Sequence, residues 1–280
     1  MPTKPPVGPK TQLCMSLSAR PSYFGSCFHN RLYELLGLDF IYKAFSTTDL
    51  KAVVAGIRAL HIRGCAISMP FKEAVIPLLD HLAPSAAAIE SVNTIVNDGT
   101  TLTGYNTDYG AIATLLNQAD ISPETPFLLL GAGGMAKAVA ASLRDRGHKN
   151  GHIIARNTQN GPALAALYGF SWAPATGALR APLLINATPL GMVGADADQL
   201  AFAPELIAQA DTVFDVVALP AETPLLRAAR QAGCKLITGT QVGVLQAVEQ
   251  FVLYTGIRPD DAQIEQAARY AASVRDRLSG

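Results

Sequence analysis

Gly131-Ala132-Gly133-Gly134-Met135-Ala136 spells G-x-G-x-x-A directly after the apolar run Phe127 to Leu130 and ahead of a helical pattern. Small residues at that spacing let the backbone approach a pyrophosphate. The opening helix adds unpaired N–H groups and a partial positive charge. A tight turn without a ligand would need the same glycines, but the place between strand and helix favours a dinucleotide. The next strand ends in Ile154-Ala155-Arg156-Asn157-Thr158, where an NAD site usually carries Asp or Glu for the ribose hydroxyls. A guanidinium can pair bidentately with a 2′-phosphate, and Asn157 or Thr158 can add hydrogen bonds, so the pattern favours NADP over a merely solvated Arg156.

Lys72 and Asp108 form a second candidate constellation. Each has a plain reading alone: Lys72 as an exposed residue near the start of a helix carrying Val75, Ile76 and Leu79, and Asp108 as the N-cap of a helix carrying Ile112 and Leu115. Together they lie at a strand end in one predicted domain and at the start of the next, so both can face one cleft. Hydride transfer at a carbinol needs a proton partner, which a lysine can supply and a carboxylate can orient. Ion pairing raises a lysine pKa and burial lowers it, and the sequence leaves the balance open.

The elements that would position these groups follow from periodicity. Gln12 to Leu17 and Phe40 to Phe45 read as strands. Phe28, Leu32, Leu35 and Leu36 recur at helical spacing before Gly37. Thr48 is placed to cap a helix with Leu50, Val53, Val54, Ile57 and Leu60 on one face, and Cys65 to Ser68 reads as the next strand. Val92 to Asn97, the Asp98-Gly99 turn and Thr101 to Gly104 read as a hairpin. The rhythm then restarts with strands at 127–130, 152–155, 183–186 and 212–217 and helices at 135–146, 162–168 and 224–232, followed by helices over 242–254 and 260–278. This predicts an α/β chain: an N-terminal α/β substrate domain with a mostly parallel sheet over residues 1–105, completed by residues 242–280, and a Rossmann-type doubly wound domain over residues 106–241.

Composition narrows the partners. The 280 residues hold 22 basic and 22 acidic side chains and are 49% hydrophobic, which gives no electrostatic reason to expect nucleic acid or an anionic membrane. No window approaches the roughly twenty apolar residues of a spanning helix, and the Pro/Lys start lacks a signal peptide's apolar stretch, so the expectation is a cytoplasmic protein with a small-molecule partner, monomeric or homodimeric. Cys14, Cys27, Cys65 and Cys234 form no C-x-x-C pair, the five histidines are scattered, and no metal is expected. Trp172 reads as packing, and Lys43 and Arg20 as solvated charges.

Ile67 to Lys72, Ser91-Val92-Asn93-Thr94, Asn106-Thr107-Asp108, Gly131 to Gly134, Ala155-Arg156-Asn157, Ile185 to Thr188 and Gln246 match, in order, motifs of the shikimate dehydrogenase family. The chain resembles that family from about Ser16 to its C-terminal helices. The resemblance implies that Lys72 and Asp108 are a catalytic dyad, that Ser68, Asn93 and Gln246 bind the hydroxyls of a ring acid, that Thr188 lies beside the cofactor and that Gly239 lies near the nicotinamide. It also implies departures. The serine pair that grips the carboxylate has only Ser22 and Ser26 as candidates, four apart instead of two, and Ala66 and Ala218 replace an amide and a phenol. Two readings follow: an NADP-linked dehydrogenase reducing 3-dehydroshikimate or a related quinate- or aminoshikimate-type ring acid, and an NADP-binding sensor with little turnover.

Overall fold

The computed structural model describes residues 3–19 and 21–279. The chain divides into two compact units, Met1–Thr107 with Val244–Gly280, and Asp108–Gly243.

In the first unit, β1 (Gln12–Leu17), α1 (Tyr23–Leu36), β2 (Phe40–Phe45), α2 (Leu50–Ala59) and β3 (Gly64–Ile67) alternate as the hydrophobic periods require. The single-turn α3 (Phe71–Ala74), a 3-10 turn over Ile76–Leu78, β4 (His81–Leu82), α4 (Pro84–Ala87), β5 (Thr94–Asn97) and β6 (Leu102–Tyr105) follow. The strands form one sheet in the order β2-β1-β3-β5-β6-β4. β1 pairs in parallel with β2 and β3, and β4 with β6, whereas β5 runs antiparallel to both of its neighbours. The mostly parallel sheet therefore takes in the predicted hairpin, whose turn is held by Asp98 Oδ1 accepting the Thr100 and Thr101 N–H groups at 2.9 and 2.8 Å.

Some local expectations shift. Asp49, not Thr48, caps α2, accepting from the Ala52 N–H at 2.9 Å. The helix expected beyond Lys72 stops after one turn, because Pro77 cannot donate to a continuing helical ladder and opens a 3-10 turn instead.

The second unit begins within α5 (Thr107–Gln118) and runs β7 (Phe127–Leu130), α6 (Gly134–Asp145), β8 (Gly151–Ile154), α7 (Asn160–Tyr168), β9 (Ser171–Ala173), β10 (Leu183–Asn186), α8 (Pro204–Ile207), β11 (Thr212–Asp215), α9 (Pro224–Gln231) and β12 (Lys235–Thr238). All its strands are parallel, in the order β12-β11-β10-β7-β8-β9. That is the doubly wound order, with its reversal between β7 and β10. The short β9 and β12 carry too few apolar residues for periodicity to mark them.

α10 (Gly239–Thr255) and α11 (Asp261–Ser279) return to the first unit. There Phe251, Tyr254, Ala267 and Ala271 close over Phe28, Leu32, Tyr33 and Tyr42 in one buried cluster. The opposite face of the sheet is covered by α2, with Met15, Leu17, Val54, Ile57, Ile95 and Leu102 in its core.

Candidate functional site

Two groups of residues stand out, one in each unit. In the second unit the sheet reverses between β7 and β10, and Gly131 leaves β7 at that point with φ 120°. A Cβ at Gly131 would lie 2.8 Å from the Ala187 carbonyl oxygen and 3.2 Å from Thr188 Cγ2, so the backbone after β7 meets the backbone after β10 only because no side chain intervenes. Gly133 and Gly134 are exposed, and a Cβ on either would meet nothing within 4 Å. Ala132 and Met135 are half-buried, and Ala136, in the first turn of α6, is fully buried. The result is an open backbone at a helix N-terminus beside a switch point, a shape and polarity that fit a pyrophosphate.

Arg156 follows β8, exposed, and among the described residues it makes no ion pair. Asn157 holds the adjoining turn, its Oδ1 accepting the Gln159 and Asn160 N–H groups at 2.9 and 2.8 Å. Its carbonyl side is thereby committed to the start of α7. Thr188 is held by Asn186, whose Oδ1 accepts both the Thr188 N–H at 3.0 Å and its hydroxyl at 2.6 Å. Asn186 in turn donates to Asp215 at 3.0 Å, and the Thr223 hydroxyl donates to the other Asp215 oxygen at 2.6 Å. Burial pushes the Asp215 carboxyl up, against the lowering effect of the Thr223, Val217 and Asn186 donors. Gly239, buried at the start of α10, lies against the backbone of Val216 and Val217, where a Cβ would not fit.

In the first unit the ladder gathers Ser68, Lys72 and Asn93. The Ile67 N–H donates to the Asn93 carbonyl at 2.7 Å, and the Val92 N–H donates to the Lys72 carbonyl at 2.9 Å. Ser68 follows directly and is exposed, and Lys72 is half-buried in the first turn of α3. Asn93 is buried: Nδ2 donates to Thr107 Oγ1 at 3.0 Å, and Oδ1 accepts the Thr107 N–H at 2.8 Å. Thr107 Oγ1 also lies 3.4 Å from Gln246 Oε1 on α10. Asp108 is the next residue, inside the first turn of α5 and not its cap, because the helix starts one residue earlier.

Ser22 is the exposed N-cap of α1, without a side-chain capping bond, and Ser26 lies one turn on. Among the described residues neither shares a hydrogen bond with Ser68, Asn93 or Gln246. Asn30 pins α1 to β2, exchanging hydrogen bonds with the Tyr42 backbone at 2.8 and 3.0 Å. Ala66 packs against the aromatic cluster. Lys43 sets its ammonium 3.7 Å from the Phe45 ring centroid, and Arg20 lies outside the described residues.

Sequence reasoning passed over Thr107 as a binding-site group and Gln250 entirely. Thr107 was visible only as the middle of Asn106-Thr107-Asp108, and Gln250 only as one helical turn beyond Gln246. Among the described residues no cluster of three or more His, Cys, Asp or Glu is placed to hold a metal, and no helix is long and apolar enough to cross a membrane.

Comparison with known proteins gives consistent matches. The family model of the shikimate dehydrogenase substrate binding domain matches residues 24–95. A shikimate dehydrogenase-like protein of Haemophilus influenzae is 51% identical over 266 residues, 95% of this chain and 98% of that one. The shikimate dehydrogenase (NADP(+)) of Moorella thermoacetica is 34% identical over 87% of each chain. The shikimate 5-dehydrogenase of Thermus thermophilus, solved in complex with NADP(H) and shikimate, has a TM-score of 0.83 at 32% identity, covering 93% of this chain and 99% of that one.

Proposed function

Because the chain belongs to the shikimate dehydrogenase family, we propose that it is an NADP-dependent oxidoreductase that interconverts a secondary alcohol and a ketone on a shikimate- or quinate-like ring acid. The observation that carries this reading is that hydrogen bonds in the first unit join Asn93, Thr107 and Gln246 and tie the Ile67–Ser68 strand end and the Lys72 backbone to the same segment: such a set of amides and hydroxyls suits a polyhydroxylated acid.

When bound, NADP accepts or supplies the hydride. The residues that would hold it are those of the Gly131–Ala136 turn at the pyrophosphate, Arg156 at the 2′-phosphate, and Thr188 and Gly239 further along the same strand ends. Lys72 Nζ takes the hydroxyl proton as the alcohol is oxidised and returns it as the ketone is reduced, with Asp108 the second proton-transfer residue. Asn93 and Gln246 bind ring hydroxyls, and Ser68 adds a hydroxyl of its own. Ser22 and Ser26 are the serines available for the carboxylate.

The test is a cofactor-absorbance assay with shikimate, quinate and amino-substituted analogues, with NADP and with NAD. The expectation is turnover of at least one acid, and a Lys72→Ala variant that loses about 10²-fold or more in kcat while its Kd for NADPH stays unchanged. Wild-type turnover in that variant would overturn the assignment. A second reading, an NADP-binding sensor, is favoured by the apolar packing of Ala66 at the position where the family resemblance implies an amide. NADPH binding without turnover of any acid in the panel would select it.

A further inference from the structure

Gln250 lies one turn beyond Gln246 on α10 and is buried. Its Nε2 donates to Thr94 Oγ1 at 3.0 Å, with the Asn93 carbonyl oxygen a more distant acceptor at 3.4 Å. Thr94, fully buried, then directs its own proton to Asn93 Oδ1 at 2.8 Å. A hydroxyl has one proton and chooses its acceptor by what it must itself accept, so the Gln250 amide fixes the direction of the Thr94 hydroxyl. Asn93 Oδ1 is thereby filled by two donors, the Thr94 hydroxyl and the Thr107 N–H. Asn93 Nδ2 donates to Thr107 Oγ1 at 3.0 Å, and the Thr107 hydroxyl has two acceptors within reach, Asn93 Oδ1 at 3.2 Å and Gln246 Oε1 at 3.4 Å.

From Gln250 on α10 through Thr94 the donors run toward Asn93 Oδ1, and the Thr107 N–H meets the same oxygen from the other side. Behind Gln250 stands His29, fully buried and stacked on Tyr42 with ring centroids 4.4 Å apart. Neither ring nitrogen has a hydrogen-bond partner of good geometry, and burial lowers its pKa to about 3, with Gln250 the polar neighbour that opposes the shift. His29 is thus a neutral ring at the closed end of the chain, next to the carboxamide that starts it.

We propose that Gln250 is a positioning residue that sets the polarity of the ring-acid site: acting through Thr94, it holds Asn93 with its oxygen inward and its Nδ2 presented as a donor. The site then recognises a ligand acceptor, a hydroxyl oxygen or a carbonyl, at Asn93. The inference rests on the reading of Asn93 as a ring-acid ligand. It adds that the residue's orientation is imposed from 157 positions away in the chain.

The experiment compares Gln250→Leu, Thr94→Val and Thr94→Ser. The first two remove the relay from either end, and the third keeps the hydroxyl. Gln250→Leu and Thr94→Val are each expected to raise KM for the ring acid about tenfold, while kcat stays within about threefold and Kd for NADPH does not move. The double variant is expected to be no worse than the worse single one, because both cut the same chain. Thr94→Ser restores KM to within about twofold of the wild type, whereas a merely structural role would penalise lost packing there instead. Multiplicative effects in the double variant, or an unchanged KM in either folded single variant, overturn the proposal. A readout independent of turnover is the side-chain amide resonance of Asn93 in 15N-labelled protein, expected to shift in Gln250→Leu and Thr94→Val but not in Thr94→Ser. If the wild type turns over no ring acid, the enzyme reading fails. The Asn93 resonance still decides this inference, and its failure to move in the two relay-cutting variants overturns it.

Discussion

At Gly131 two constraints coincide, a φ of 120° and a carbonyl oxygen 2.8 Å from where a Cβ would sit. Gly131→Ala is therefore expected to lower stability by about 1–3 kcal/mol and to weaken NADPH binding, read from a urea midpoint and a fluorescence titration. Arg156 differs in kind, being exposed and held by no partner among the described residues, so its removal should leave the fold alone. Arg156→Ala is expected to raise Kd for NADPH about tenfold to a hundredfold, the loss of a charged hydrogen-bonding group, and to leave the affinity for NADH unchanged. His29 carries the clearest pH dependence. Its folded pKa of about 3 lies below the ordinary 6.5, so the fold favours the neutral ring. The stability it allows is fully present above about pH 6.5 and is lost as pH falls toward about 3. His29→Leu is expected to flatten the acid side of the stability profile over that window, measured by urea unfolding at a series of pH values.

Between elements, the same side chain often serves two purposes. Thr223 accepts the Leu226 N–H at 3.1 Å and so caps α9, and it donates to the buried Asp215, which links β11 to Asn186 and thence to Thr188. Thr223→Val removes both interactions. The cap is worth about 1 kcal/mol at any pH. The second part depends on pH: burial raises the Asp215 pKa, so ionised Asp215 burdens the fold above that pKa, and a lost donor makes the burden larger. The variant's deficit is thus expected to be greatest at neutral and alkaline pH and to shrink as pH falls through the folded pKa of Asp215. Unfolding experiments at pH 4 and pH 8 measure the difference. An unchanging deficit would mean that only the cap is lost.

At the level of the whole molecule, the first unit is discontinuous in sequence, leaving off at Thr107 and resuming at Val244. Its aromatic face is closed only by α10 and α11, with Phe251, Tyr254, Ala267 and Ala271 fully or almost fully buried. A fragment of residues 1–107 would leave Phe28, Leu32, Tyr33 and Tyr42 facing water. Each is worth on the order of 1.5–3 kcal/mol when buried, so together they approach the whole stability of a domain. Such a fragment is expected to bind a hydrophobic dye and to show no cooperative urea transition. Cooperative unfolding of residues 1–107 would show that the C-terminal helices are dispensable for this core.

What the sequence determined by itself is what local physics controls. Side-chain pattern separates strand from helix, and so β1 and β2, and β7 and β10 with their short continuous apolar runs, stand where the sequence placed them. Glycine chemistry marked the turn after β7, because only a residue without a Cβ takes that conformation. Residue type at the end of β8 favoured NADP through the geometry of a guanidinium. The cap of α2 and the stop after α3 depend on competition between neighbouring residues, Thr48 with Asp49 and Val75 with Pro77, which pattern alone ranks poorly. Tertiary structure alone decided the polar chain from Gln250 through Thr94, Asn93 and Thr107 to Gln246, and the isolation of His29 in an aromatic core. A hydrogen bond between residues 156 positions apart leaves no periodicity in the chain, and its direction exists only once burial has removed the water that would otherwise satisfy both partners.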